Sequence, residues 1–103
     1  MSPREVLVQL EARVDRIKVL CRSKGVEYAN SAQDDLANFK RLSEQVGVSP
    51  EVVLWVLLEK HLDALRFTIR HHQGITLSEA TEGRIDDAIL YLHLLDCLMR
   101  ERK

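Results

Sequence analysis

Glycine and proline are scarce in this chain, whose 103 residues include four glycines and two prolines. This composition leaves little material for turns, so the sequence predicts few secondary-structure elements, each of them long. Strand signals are also missing, because apolar and polar residues nowhere alternate over a sustained stretch and no hairpin dipeptide is present. We therefore expect an all-α four-helix bundle in which residues 1–103 form a single domain.

Long apolar runs and an excess of charge of one sign are absent as well. The longest uninterrupted apolar stretch is residues 52–58, much shorter than the roughly 18 residues that a membrane-spanning helix needs. The formal net charge is −1, whereas a protein that follows a phosphate backbone normally carries a clear basic excess. We expect neither a membrane span nor binding to extended nucleic acid.

Cysteine is rare, and its two positions, Cys21 and Cys97, lie among apolar residues far apart in the chain. Buried free thiols are commoner than a disulfide in a chain of this kind. The N-terminal segment has no uninterrupted apolar core of the type found in signal peptides. We expect both thiols to be reduced and largely buried, and the protein to be cytoplasmic.

Apolar spacing and turn residues predict two helices in the first half of the chain. The first covers about residues 3–22, and a polar linker follows over about residues 23–34. Asp34 or Asp35 is placed to cap the second helix, which we expect to stop at Gly47.

Two longer helices are predicted in the second half. Ser49 is placed to cap the third, which extends to about His72. The fourth begins near Ser78, where Thr76 and Glu79 have the spacing of a capping box, and it continues almost to the end of the chain. The short connection makes these two helices antiparallel neighbours.

The third and fourth helices are apolar around most of their circumference. We expect the core to follow two seams with spacings of three and four, namely Trp55, Leu58, Leu62, Leu65 and Ile69, and Ile85, Ala88, Leu92, Leu95 and Met99. A helix that is apolar on nearly all sides must be covered on most of them, and one chain of this size cannot provide that cover. We therefore expect a homo-oligomer whose interface, like its core, uses these two helices.

Two acidic pairs interrupt these apolar helices, Glu59 with Asp63 and Glu82 with Asp86. Like charges four residues apart lie on one face and weaken a helix slightly, so a cation between them would compensate. Carboxylate oxygens are the ligands that Mg²⁺ prefers, and Mg²⁺ commonly assists phosphate chemistry. The four carboxylates are therefore candidate metal ligands, with Mg²⁺ as the cofactor.

An ion-paired arrangement is the alternative to a metal site. Arg66 and Arg70 lie toward the end of helix three, and the antiparallel arrangement brings them level with the second acidic pair. In that arrangement the two arginines neutralise the second pair, while the first pair is simply solvated. The helix offset and crossing angle decide between the two readings.

Other polar residues are candidates to bind the rest of a phosphate-bearing ligand. Lys60 or Arg66 would neutralise phosphate charge. His93 lies on the same face of helix four as Glu82 and Asp86, which we call the acidic stripe of that helix. Tyr28 in the polar linker and Asn38 in the second helix are further candidates to bind the ligand.

Several short motifs together resemble a known group of proteins. In order they are Lys24-Gly with Glu27-Tyr28, Leu36-Ala-Asn38-Phe39, Glu59-Lys60-His61-Leu62-Asp63, and Glu82-Gly-Arg-Ile-Asp86-Asp87 followed by Tyr91-Leu92. Over about residues 20–98 this pattern resembles small all-helical proteins that phages and mobile elements encode, sometimes grouped as nucleotide-modification-associated. The resemblance implies an accessory protein of a phage or mobile element.

A more distant resemblance is to the MazG and dUTPase-like all-α nucleotide pyrophosphohydrolases. That family carries a Glu-x-x-Glu pair on one helix and a Glu-x-x-Asp pair on the next, and these bind Mg²⁺. In this chain Glu59 and Asp63, and likewise Glu82 and Asp86, are spaced one residue wider. The resemblance implies a nucleotide as ligand and, if the protein is an enzyme, Mg²⁺-assisted hydrolysis of a nucleoside triphosphate.

Two functions of different classes therefore follow from the sequence. In the first, the acidic stripes bind Mg²⁺ and the phosphates of a nucleotide. In the second, the protein is not an enzyme but an oligomeric interaction or decoy protein that binds a protein partner through its apolar helices. Metal-dependent turnover of nucleotides distinguishes the two.

Overall fold

The computed structural model describes residues 1–28, 36–71 and 78–102, and in the first of these ranges it describes side chains as far as Ser23. Its helices, in chain order, are α1 (Pro3–Tyr28), α2 (Ala37–Val46), α3 (Pro50–His71) and α4 (Glu79–Glu101). No strand occurs within the described ranges. The prediction of an all-α fold with four helices is confirmed.

Serine side chains begin α3 and α4. The Oγ of Ser49 accepts a hydrogen bond from the backbone N–H of Val52 at 3.3 Å, and the Oγ of Ser78 accepts one from Thr81 at 3.1 Å. Each bond satisfies one of the N–H groups that the first turn of a helix leaves without a partner. The capping box expected at α4 involved Thr76, which lies outside the described residues.

Helix α1 is longer than the sequence predicted. It continues past Arg22, where we expected it to end, and reaches Tyr28, so the first part of the expected linker is helical. A glycine inside a helix costs about 1 kcal/mol relative to alanine, and α1 accommodates Gly25 despite that cost.

Helix α2 ends where the sequence predicted, but the residue at its N-cap position is not one of the two expected. Asp34 and Asp35, the expected caps, lie outside the described residues, and the N-cap position is Leu36, whose side chain makes no capping bond. At the other end Gly47 adopts a left-handed conformation with φ of 76°, and its N–H donates to the Ser43 carbonyl at 2.9 Å. A residue without a Cβ enters this conformation without strain, so the predicted stop is confirmed.

Helices α3 and α4 run antiparallel and make the most extensive contact between any two of the described helices. At one end, Arg102 Nη2 lies 2.8 Å from Glu51 Oε2 in the first turn of α3. Farther along, the ring of His61 packs against the ring of Tyr91 with centroids 5.2 Å apart. The antiparallel pairing that the short connection predicted is therefore confirmed.

The core lies where α2 covers one side of the α3–α4 pair. Leu54 and Leu58 of α3 are almost completely enclosed. Leu36 and Phe39 at the start of α2 join Leu54 and Leu98 of α4 in one buried apolar cluster. Truncating leucines as well enclosed as these typically costs about 2–5 kcal/mol, so we expect their packing to contribute substantially to the stability of the fold.

The buried faces of α3 and α4 match the predicted seams only in part, since Leu58 and Ala88 are buried as expected. Trp55 and Ile69 of α3 and Leu92 and Met99 of α4 were expected in the core but are exposed, whereas Leu90 is buried. Both helices are apolar on most sides, so periodicity alone does not select the face that α2 covers. Although they are so apolar, no helix in the described ranges is long and apolar enough to cross a membrane.

Helix α1 packs mainly on α4 and leaves its N-terminal part exposed. Every residue over 1–12 is exposed, while Ile17 and Leu20 farther along are half-buried against the rest of the protein. The α1 helix therefore has only one described neighbour with extensive contact, and much of its apolar surface remains in water.

The two cysteines are not joined by a disulfide. Most of the surface of Cys21 and of Cys97 is covered, in agreement with the expectation that both are largely buried, but neither is fully enclosed. Cys21 belongs to the sparsely covered α1, and Cys97 packs at the edge of the core cluster.

Candidate functional site

The first acidic pair shares an arginine of its own helix. Arg66 Nη1 lies 3.2 Å from Glu59 Oε2 and 2.6 Å from Asp63 Oδ1. All three residues lie on the solvent side of α3, and the Asp63 side chain is 73% exposed. Ion pairs in such exposed positions contribute little to stability, so one arginine partly neutralises a pair of solvated carboxylates here.

The second acidic pair is held by two arginines of α1. Arg13 Nη1 donates to Asp86 Oδ1 and Arg16 Nε donates to Asp86 Oδ2 at 2.9 Å. Arg16 Nε also lies 3.4 Å from Glu82 Oε1. Within the described residues Asp86 is the one buried charged residue, with 3% exposure. The two guanidinium groups compensate for the water that this carboxylate has lost.

The alternative in which arginines pair with the second acidic pair was correct, but the arginines are not the ones that were expected. Arg66 and Arg70 were expected to reach across to the second acidic pair, but Arg66 stays on its own helix and α1 supplies Arg13 and Arg16 instead. These two are three residues apart, so they share a helical face. That spacing was visible in the sequence, but the direction in which α1 packs was not.

Hydrogen bonding to carboxylates favours the charged form of these arginines. The hydrogen bond to Asp86 raises the pKa of Arg16, and the hydrogen bonds to Glu59 and then Asp63 raise the pKa of Arg66. A group whose pKa is raised by folding stabilises the fold below its unfolded pKa, and loses that effect as pH rises through the folded pKa. Arginine titrates only at strongly alkaline pH, so we expect these contributions to be constant across the neutral range.

The four predicted metal ligands do not converge on one point. Glu59 and Asp63 lie beside an arginine on α3, while Glu82 and Asp86 face α1. In the part of the chain whose side chains are described, the three metal-ligating groups close enough to share an ion belong to a different set, on α4. Binding of one Mg²⁺ by all four carboxylates requires these ion pairs to rearrange, and Mg²⁺ as a cofactor stays a prediction.

A cleft of about 420 Å³ opens where α1 crosses α4. Its lining includes four carboxylates of α4, Glu79, Glu82, Asp86 and Asp87, together with Arg16 of α1. The second acidic pair therefore lines an acidic cleft between two helices, while the first pair stands on an open helix surface.

A pocket of about 330 Å³ lies between α2, α3 and α4. It is lined by Asn38, Phe39, Leu42, Leu57, Lys60, His61 and Tyr91. Two residues that the sequence predicted as ligand-binding, Asn38 and Lys60, therefore share this pocket. We name it the α2–α4 pocket.

Aromatic rings form much of the α2–α4 pocket. The ring of His61 is inclined by 34° to that of Tyr91, and Phe39 meets Tyr91 edge-on at 72° with centroids 6.2 Å apart. The amide of Asn38 is oriented by Arg41, whose Nη2 donates to Asn38 Oδ1 at 2.6 Å. The pocket thus combines flat apolar surfaces with an amide and the cation of a lysine. Tyr91 was not among the candidate ligand-binding residues, because the rotation of α4 that brings its ring to the pocket cannot be read from the sequence.

The two remaining predicted ligand residues lie elsewhere or outside the described side chains. Tyr28 is the last residue of α1, and its side chain is outside the described part. His93 is exposed on α4 beside Asp96 and Cys97, and it does not line the α2–α4 pocket. The sequence-predicted site is therefore spread over several surfaces.

Comparisons with known proteins do not identify a family. No protein-family model, no curated protein and no solved structure matches the chain. The resemblance to phage-encoded helical proteins and to the MazG group rests on the sequence motifs, and it stays a prediction.

Proposed function

We propose that this protein is a non-enzymatic association module that binds a second copy of itself through the exposed apolar face of α1. The observation that carries the proposal is the α1 seam, which we define as Leu7, Leu10 and Val14. These side chains are 53%, 52% and 41% exposed, although their spacing is that of residues that face a core. The proposal agrees with the homo-oligomer expected from the sequence, but it assigns the interface to α1 instead of helices three and four.

The spacing along α1 favours another helix as the occupant. Intervals of three and four alternate through Leu7, Leu10, Val14, Ile17 and Cys21, which is the pattern of a and d positions in a coiled coil. The C-terminal end of this pattern is half-buried, whereas the N-terminal end is exposed. A twofold dimer lets one apolar stripe cover its own copy, so a single seam is enough to form the interface.

The distribution of apolar side chains supports association. Among the described residues, more large apolar side chains are exposed than are buried. On α1 Val6 lies beside the seam, four residues before Leu10, and it is also exposed, so it widens the apolar stripe. Monomeric soluble proteins rarely leave contiguous patches of this kind in water.

Light scattering after size-exclusion chromatography tests the proposal, with protein loaded from low micromolar to several hundred micromolar. We expect a dimer whose population falls on dilution. Leu10→Glu places a charge in the seam at an exposed position, so it should weaken dimerisation by about tenfold or more while leaving the helical circular dichroism unchanged.

Val56→Glu is the matched control. Val56 is an exposed apolar residue on α3, so its substitution tests the interface that the sequence predicted on helices three and four. Dimerisation lost in Val56→Glu but kept in Leu10→Glu would overturn the assignment to α1, and a wild-type protein that is monomeric at every concentration would overturn association itself.

We propose nucleotide binding in the α2–α4 pocket as a second candidate function, because that pocket joins Asn38 and Lys60. Its volume of about 330 Å³ lies at the lower end of the range for small-molecule sites, about 300–1,000 Å³. The ring of Tyr91 offers a surface on which a base can stack, and the Lys60 ammonium attracts phosphate as a point charge.

Isothermal titration with nucleosides and their mono- and triphosphates tests this second function. If Lys60 binds phosphate, affinity should increase with phosphate number, and Lys60→Gln should reduce it about tenfold, as expected for the loss of one charge-assisted contact. Lys18→Gln removes an exposed lysine from α1 and should change nothing. Equal affinity for nucleoside and triphosphate, or no binding at all, would contradict the proposal.

A further inference from the structure

Three metal-ligating side chains come together on the solvent side of α4. His93, Asp96 and Cys97 occupy positions i, i+3 and i+4, so they share one face of the helix. One ligand atom from each, a ring nitrogen, a carboxylate oxygen and a sulfur, lies within 4.8 Å of the other two. Asp96 and Cys97 were absent from the ligand set expected from the sequence, which included His93 together with Glu82 and Asp86 on helix four.

The separation of the imidazole and the thiol matches a tetrahedral metal site. His93 Nε2 and Cys97 Sγ are 3.7 Å apart. A tetrahedral Zn²⁺ ion with Zn–N of about 2.0–2.1 Å and Zn–S of about 2.3 Å places these two atoms about 3.6 Å apart. The distance between these two atoms therefore already matches the one that the ion requires, and without an ion the same spacing permits a weak thiol–imidazole hydrogen bond.

The surroundings suit a site that is anchored on one side and open on the other. Cys97 packs against the core cluster and is half-buried, which limits the movement of its sulfur. His93 and Asp96 are exposed, so water has access to a fourth coordination position. Asp96 Oδ2 accepts a hydrogen bond from Arg100 Nε at 2.7 Å, but both partners are exposed, and a metal ion displaces such a pair at little cost.

We propose that His93, Asp96 and Cys97 form a binding site for a transition-metal ion, Zn²⁺ before others, with water as the fourth ligand. The mixture of sulfur, nitrogen and oxygen donors selects Zn²⁺ or a similar ion over Mg²⁺, which takes oxygen ligands. Binding converts the Cys97 thiol to a thiolate and releases its proton to solvent. The site uses none of the four carboxylates expected to bind Mg²⁺, and it does not depend on self-association through the α1 seam.

Cobalt is the probe, because Co²⁺ replaces Zn²⁺ in tetrahedral sites and absorbs visible light. The reduced full-length protein is titrated with Co²⁺ without oxygen, and Zn²⁺ is then added in competition. We expect a thiolate-to-cobalt charge-transfer band that saturates at one ion per chain and that Zn²⁺ abolishes. Cys97→Ser should remove the band, and His93→Gln should weaken Co²⁺ binding about tenfold or more, as is typical when a metal ligand or its support is removed.

Cys21→Ser is the matched control, because it removes the other half-buried thiol and should leave the band unchanged. Arg100→Gln provides a second control, since it releases Asp96 and should tighten binding. Circular dichroism checks that each variant is folded. A band that survives Cys97→Ser, a band lost in Cys21→Ser, or a wild-type protein that gives no thiolate band would overturn the proposal.

Discussion

The acidic pairs on α3 and α4 have the same spacing and different surroundings. Glu59 and Asp63 remain on the open side of α3, where Arg66 of the same helix is their partner. Asp86 of the second pair is buried and forms ion pairs with Arg13 and Arg16 of α1, a helix that is distant in sequence. The presence of α1 across α4, and not across the outer face of α3, accounts for the difference.

A pair formed within one helix and a pair formed between helices have different consequences. The Arg66 contacts require only that α3 be helical, so they say nothing about tertiary arrangement. The contacts of Arg13 and Arg16 with Asp86 exist only when α1 lies in one position on α4. A buried carboxylate without its cations is costly, so these contacts disfavour other placements of α1.

Removing the buried carboxylate is the strongest test of the difference between the two acidic pairs. Asp86→Ala should lower the free energy of unfolding by about 2–3 kcal/mol, below the usual cost for a fully buried pair because the arginines it leaves are partly in water. Urea denaturation measures the change. Hydrogen exchange should show protection lost mainly in α1, since α2, α3 and α4 keep their core.

Asp63→Ala is the control for that measurement, because it removes the same type of side chain from the exposed pair. We expect its unfolding midpoint to equal that of the wild type. If Asp63→Ala and Asp86→Ala destabilise the protein equally, the contrast between the two pairs is refuted.

The Glu82 substitution should have a smaller effect. Its side chain is 34% exposed and 3.4 Å from Arg16, so Glu82→Gln should cost less than about 1 kcal/mol, as for other partly exposed ion pairs. Because screening reaches exposed charges first, the cost should shrink further in high salt. Paired denaturation curves at low and high ionic strength measure it, and a cost that matches Asp86→Ala would show that both members of the pair are equally important.

Magnesium should have the smallest effect of all. Each acidic pair already has arginine partners, so we expect millimolar Mg²⁺ to leave the thermal unfolding midpoint unchanged. The Mg²⁺-site hypothesis expects the opposite, an increase in the midpoint by mass action that Asp86→Asn abolishes. Melting curves of both proteins with and without Mg²⁺ decide between the two expectations.

The helices could be predicted because their ends depend on local chemistry. Ser49 and Ser78 each satisfy an N–H three residues ahead, and Gly47 permits a backbone conformation that other residues enter with strain. Such signals act within one turn of the chain. The end of α1 was predicted too early, because the polar segment that follows residue 22 continues the helix through Gly25 to Tyr28.

The buried faces could not be predicted by the same reasoning. Trp55 and Leu54 are adjacent apolar residues on a helix that is apolar nearly all round, yet Leu54 is enclosed and Trp55 is 46% exposed. Periodicity identifies a buried face only when the other faces are polar. The position of α2, which contributes Phe39 to the core, selects the face in this fold.

The candidate sites show the same division. Lys60 and Asn38 were named from the sequence and do share a pocket, but its aromatic wall includes Tyr91, whose role depends on how α4 is rotated. Asp96 and Cys97 lie one helical turn from His93, so local spacing alone could have grouped them. This set was not predicted because it contains only one cysteine, whereas the usual zinc motifs contain paired cysteine and histidine residues.

Local sequence signals were enough to predict that this chain forms long helices, one end of each of the four described helices, and the antiparallel pairing of α3 and α4. Those properties depend on residues within a few positions of one another and on the length of a connection. Only the tertiary structure decided which carboxylate is buried, which arginines hold it, and which apolar face of α1 remains in water. These outcomes depend on the direction in which each helix packs, and helices with apolar residues on most sides can pack in several directions at similar cost.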